Sequence, residues 1–123
     1  MRWLLGLAMA LSFEAVAQKA EVRLDCIHTG KDFIYDCVIE IMRQGQPVTD
    51  LDVRMSADMP SMPMAHQVKP VRAWATSTPG EYRARLDLEM SGEWAVKLRL
   101  SGPVRDQLIL HYHFTEAGRP PRK

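Results

Sequence analysis

Apolar and polar residues alternate with a period of two through most of the chain, and this alternation constrains the fold more than any other feature. The clearest example is residues 82–90, where Tyr82 and Leu86 share one face and charged residues such as Arg83 share the other. Successive side chains of a strand point to opposite faces, so such a segment predicts a strand with one buried face. No segment after the first 17 residues shows a helical period. The pattern therefore predicts an all-β fold.

Seven short segments carry this alternation, and turn-forming residues separate most of them. They begin near Val22, Tyr35, Leu51, Gln67, Tyr82, Trp94 and Leu108. The fourth segment, residues 67–76, is weak, and Pro70 inside it predicts an edge strand or a bulge because proline cannot donate to a ladder. Strands of this number and spacing predict a small immunoglobulin-like antiparallel β-sandwich of about seven strands. A small closed barrel is the alternative.

The N-terminal residues have the pattern of a secretory signal peptide. Arg2 is followed by an apolar run, Trp3–Phe13, that is too short to span a bilayer, and Ala15-Val16-Ala17 fits a cleavage site. We predict a cleavable signal peptide at residues 1–17 and export to the periplasm, with no transmembrane segment after cleavage. The alternative is an uncleaved N-terminal anchor. Residues 18–115 would form a single domain, and the polar, basic tail at residues 116–123 is predicted to be disordered.

The two cysteines, Cys26 and Cys37, fall on the apolar faces of neighbouring predicted strands. An oxidising compartment would join them, so a structural disulfide is the preferred interpretation. A two-thiolate metal site or a redox pair is the alternative, although the spacing is not that of a C-x-x-C motif.

Charge and motifs argue against several classes of function. The formal net charge of +1 gives no electrostatic reason to expect nucleic acid or an anionic membrane surface as a partner. The chain has no nucleophile elbow, glycine-rich phosphate loop or H-E-x-x-H motif. Paired carboxylates such as Asp87 and Glu89 are interpreted as solvated residues on the polar face of a strand. We therefore do not expect an enzyme.

A methionine-rich segment, Asp58–His66, is the principal candidate for chemistry and is called the methionine loop below. Two prolines make it a loop or an edge segment, where methionine is unusual. Thioethers are soft ligands that suit Cu(I), and imidazole suits copper generally, so Met59, Met62, Met64 and His66 form a candidate copper site. Alternatively, these methionines fold back as adaptable filler over one end of the sandwich.

A second candidate is the pair His111 and His113. At positions i and i+2 of a strand they point to the same face, roughly 7 Å apart, and could share a metal. The preferred interpretation is that both are polar residues on the solvent face of a strand whose inner face carries Tyr112 and Phe114.

From about residue 48 to residue 100, the chain resembles the FixH/YtkA-like domain family. The resemblance depends on the block Met59-Pro60-Ser61-Met62, the turn Pro79-Gly80-Glu81-Tyr82 and the hairpin of residues 88–94. It implies an immunoglobulin-like sandwich on the outer face of the cytoplasmic membrane. It also implies a link to copper delivery or to assembly of copper-dependent membrane complexes. FixH itself keeps a membrane anchor, whereas this leader looks cleavable, so a role in oxidase assembly is not carried over.

Two hypotheses of function follow. In the first, the protein binds or handles copper in the periplasm, preferring Cu(I), and exchanges it with a membrane or periplasmic copper-dependent protein. In the second, it is an interaction module or accessory subunit without a metal, and its methionine loop is an adaptable contact surface.

Overall fold

The computed structural model describes residues 19–62 and 64–115. The predicted signal peptide and the predicted disordered tail lie outside these residues. Within them the chain forms nine strands and no helix: β1 (Glu21–His28), β2 (Ile34–Arg43), β3 (Gln46–Pro47), β4 (Asp52–Asp58), β5 (Gln67–Arg72), β6 (Trp74–Ala75), β7 (Glu81–Asp87), β8 (Gly92–Ser101) and β9 (Asp106–Phe114). The described part accordingly has no helix that could cross a membrane.

The strands form two antiparallel sheets. Sheet I has the order β1-β2-β7-β6, with the short β3 also paired to β2, and sheet II has the order β5-β4-β8-β9. The predicted all-β, sandwich-like fold is confirmed. The count of nine exceeds the predicted seven because two strands, β3 and β6, have only two residues each.

The predicted fourth segment divides between the two sheets. Its first part, β5, lies at the edge of sheet II, and the register of its pairing with β4 shifts between Met55 and Ala57. Pro70 lies in this irregular stretch, as its missing N–H donor predicts. The buried Ala73 then donates a backbone hydrogen bond of 2.8 Å to Val53 before Trp74 joins β7 of sheet I. The segment therefore joins the two layers.

The core lies between the two sheets and is built from the inward residues of the alternating pattern. Its largest fully buried side chains include Trp94, Tyr35, Tyr82 and Phe114. Buried tyrosine hydroxyls need hydrogen-bond partners. The hydroxyl of Tyr82 donates to a backbone carbonyl at 2.9 Å and accepts from a backbone N–H at 3.1 Å. The hydroxyl of Tyr112 in β9 accepts from the backbone N–H of a β1 residue at 3.1 Å, which links the two sheets.

The disulfide between Cys26 and Cys37 is confirmed. The two residues are direct partners in the β1–β2 ladder, both side chains face the core, and their Cα atoms are 4.0 Å apart. The alternation of inward and outward side chains in the two strands, visible in the sequence, thus correctly predicted that both sulfurs lie on the same buried face.

Removing this disulfide is expected to lower the free energy of unfolding by about 2–3 kcal/mol, because the bond closes only a short loop in the unfolded chain. Urea unfolding of the wild type should be compared with that of the Cys26→Ala/Cys37→Ala double variant. Mass spectrometry of the non-reduced wild type should give two hydrogens less than the sequence mass. Free thiols in freshly isolated protein would contradict the expectation.

Candidate metal-binding loop

The methionine loop connects β4 to β5 at one end of sheet II. Backbone hydrogen bonds hold its shape: the N–H of Met62 donates to the carbonyl of Met59 at 3.0 Å, and the N–H groups of Ala65 and His66 both donate to the carbonyl of Met62 at 3.2 Å. At the base of the loop, the N–H of Met59 donates to the carbonyl of His66 at 3.3 Å. The described residues of the loop therefore form turns rather than an extended segment.

Met59 points into the core and is only 5% exposed. It continues the inward series of β4, in which Val53, Met55 and Ala57 are also buried. Its terminal methyl packs against Gly92, where an added Cβ would lie 3.3 Å away. For Met59 the structure therefore favours the alternative in which the methionines act as core filler, because the period of two extends one residue beyond the end of β4.

Met62 and Met64 point outward instead. Their exposed fractions are 40% and 90%. The four predicted copper ligands therefore do not share one environment: the Met59 side chain packs in the core, whereas the other two thioethers are accessible from solvent. Accessible thioether sulfur is the form in which a soft metal could be gained and released.

His66 contacts a carboxylate from a distant part of the sequence. Its ring nitrogen Nδ1 forms a hydrogen bond with Oε2 of Glu89, which lies in the turn between β7 and β8 rather than on a strand. The two residues are 23 positions apart, and no local pattern links them. In the neutral ring, Nδ1–H donates to the carboxylate and Nε2 keeps its lone pair. Metal-binding histidines usually donate their second ring N–H to a carboxylate, a backbone carbonyl or a water, and Glu89 is a partner of the first kind.

A second ion pair lies at the base of the loop. In this pair, Oδ2 of Asp58 lies 2.9 Å from Nζ of Lys97. On the outer face of sheet I, away from the loop, a hydrogen bond from Arg85 to Asp36, supported by charge attraction, raises the pKa of Arg85 above its ordinary value. Because the Asp58 carboxylate is paired with Lys97, the groups that the loop leaves for a metal are neutral: two exposed thioethers and one imidazole nitrogen.

A family model described as YtkA-like matches residues 14–99, which is more than half of the chain. The chain belongs to the YtkA-like family. The match extends further toward the N-terminus than the resemblance from about residue 48 to residue 100, because it includes the two cysteine strands β1 and β2. Comparison with curated proteins gave no match, and comparison with solved structures also gave none.

In this YtkA-like domain, His111 and His113 lie on the outer face of β9, at the edge of sheet II. His113 pairs with Glu93 and His111 with Ala95, which also pairs with Asp58. His111 is thus about two strand spacings, or roughly 10 Å, from the base of the methionine loop. Among the described residues, no group of three or more His, Cys, Asp or Glu residues could hold a metal ion. A ligand role for the two histidines stays a prediction.

Proposed function

We propose that this YtkA-like protein is an exported copper-handling accessory protein that binds Cu(I) through Met62, Met64 and His66. The observation that supports this most directly is the pairing of His66 with Glu89, in the same loop that carries two exposed thioethers. Glu89 would hold the ring in the tautomer that presents Nε2 to a metal. Met59 belonged to the predicted ligand set, but its burial favours a packing role.

The chemistry of these donors suits a carrier of copper. Thioether and imidazole ligands are uncharged and favour Cu(I) over harder ions. The exposure of Met62 and Met64 would let a partner approach the metal directly. That partner would be a membrane or periplasmic copper-dependent protein. The Cys26–Cys37 disulfide agrees with an oxidising compartment, since such bonds are rare in the cytosol.

The test is a Cu(I) titration against a competing chelator. The wild type is compared with Met62→Leu/Met64→Leu, which removes both sulfurs but keeps the apolar bulk. We expect the double variant to lose saturable binding, and Cu(II) and Zn(II) to bind the wild type more weakly. The matched control is Met42→Leu, because Met42 lies at the other end of the sandwich, opposite Pro47. Failure of the wild type to bind Cu(I), or equal binding by the double variant, would overturn the proposal.

Glu89→Ala is expected to weaken Cu(I) binding about 10–100-fold while leaving all three proposed ligands in place. The reason is that the His66 ring loses the partner that orients it. Acidification should weaken the His66 contribution to Cu(I) binding in the wild type, since protons compete with a metal for an imidazole nitrogen. The thioether contribution should persist, because methionine sulfur takes up no proton in water. The measurement is the Cu(I) affinity of both proteins as a function of pH.

The alternative proposal is an interaction module without a metal. The 90% exposure of Met64 favours it as a second candidate, because flexible exposed methionines adapt to partner surfaces. An absence of Cu(I) binding, together with loss of partner binding in Met64→Ala, would favour this alternative.

A further inference from the structure

Three arginines lie in register across the outer face of sheet II. Arg54 in β4 pairs directly with Arg72 in β5 on one side and with Arg99 in β8 on the other. All three side chains are exposed. Side chains directly opposite each other on neighbouring strands have Cβ atoms about 4.5–5.5 Å apart, and like charges there destabilise a sheet. We call this set the arginine row.

The positive charge of the arginine row is only partly compensated. Asp52 lies 3.6 Å from Nη2 of Arg54 and 3.7 Å from Nε of Arg72, distances that exceed those of hydrogen bonds. In the part of the chain that the structure describes, Arg99 has no ion-pair partner, and none of the three guanidinium groups donates a hydrogen bond to the protein. Each guanidinium has five N–H donors. The row therefore presents an array of donors that the protein leaves unused.

A recess of about 520 Å³ opens at this row. Arg54, Arg99 and Lys97 contribute cations to its lining, and Ser56 and Gln107 contribute neutral polar groups. The arginine row and Lys97, taken together with their ion-pair partners, comprise four cations and two carboxylates, so two positive charges are left over; these residues are Arg54, Arg72, Lys97, Arg99, Asp52 and Asp58.

We propose that this recess binds a dianionic phosphate group carried by a small solute, as inorganic phosphate or as a phosphate monoester. The forked donors of arginine match the oxygens of phosphate in paired hydrogen bonds. The two uncompensated positive charges match the charge of the dianion. A bound dianion would also relieve the repulsion within the arginine row. A small solute is favoured over a membrane surface because the site is concave and the whole chain has a net charge of only +1.

The experiment is a calorimetric titration of the exported chain with inorganic phosphate, with chloride holding the ionic strength constant. The wild type should bind one phosphate saturably. Arg54→Gln and Arg99→Gln, each checked for folding by circular dichroism, should each weaken the affinity at least about tenfold, the loss expected for one charged bidentate contact. Arg83→Gln is the matched control. Arg83 is an exposed arginine on sheet I with a similar ion pair, 3.7 Å from Glu81, and its replacement should leave the affinity unchanged.

Thermal unfolding gives a second readout. Phosphate should raise the Tm of the wild type and of Arg83→Gln, because a ligand that binds only the native state stabilises it. At the same phosphate concentration it should raise the Tm of Arg54→Gln by clearly less, because the affinity of this variant is lower. Without phosphate, the Tm of Arg54→Gln should equal or exceed that of the wild type, because the substitution removes like-charge repulsion.

The absence of saturable phosphate binding by the wild type would overturn the proposal, as would equal weakening in Arg83→Gln. Binding to phosphatidylcholine vesicles that contain phosphatidate, without binding of inorganic phosphate, would also overturn it in favour of a lipid headgroup. The site is independent of the copper proposal. Met62→Leu/Met64→Leu should bind phosphate as the wild type does, so the two proposals can fail separately.

Discussion

Replacing Trp94 with alanine is expected to lower the free energy of unfolding by about 3–5 kcal/mol, which would leave so small a domain largely unfolded. Trp94 is fully buried at the start of β8. Its indole N–H donates to the carbonyl of Met90 at 3.1 Å. The substitution would therefore open a cavity in the core and leave that carbonyl without its donor. Urea unfolding, followed by near-ultraviolet circular dichroism, measures the loss.

Trp74→Ala is the matched control for this experiment, because Trp74 is about half exposed in the short strand β6. Its replacement should change the free energy of unfolding by less than about 1 kcal/mol, as is usual for surface positions. A loss of less than 1 kcal/mol for Trp94→Ala as well would mean that the inward face of β8 has been assigned wrongly.

Met59→Ala is expected to lower the free energy of unfolding by about 2–5 kcal/mol, the range for replacing a buried methionine with alanine. Met62→Ala and Met64→Ala should each change stability by less than about 0.5 kcal/mol, because both side chains are accessible to solvent. Chemical denaturation of the three variants measures the difference. If Met59→Ala destabilised the fold as little as Met64→Ala does, the packing of Met59 in the core would be disproved.

Met59→Leu separates the packing of this residue from its sulfur. Leucine keeps the apolar volume, so the fold should lose less than about 1.5 kcal/mol. We expect the Cu(I) affinity of Met59→Leu to equal that of the wild type, since Met59 packs against Gly92 in the core. A large loss of Cu(I) affinity with a stable fold would instead return Met59 to the ligand set.

Those features of the fold that depend only on residues close together in the sequence were predictable from the sequence. The period of two identified the long strands and placed Cys26 and Cys37 on a shared inner face, because strand geometry alone fixes which side chains point the same way. Pro70 indicated an edge strand for another local reason: it has no N–H to donate to a neighbouring strand. The burial of Met59 could also have been deduced by continuing the parity of β4 past Asp58.

Other features depended on the tertiary structure. The pairing of His66 with Glu89 brings together two segments that are far apart in the sequence. The arginine row exists only because β4 lies between β5 and β8 in one particular register. Alternation specifies which face a side chain occupies, but it carries no information about which strand is the neighbour or which residue lies opposite. Strand order and register are settled by the packing of the two sheets around one core, and they determine which donors and charges meet on the surface.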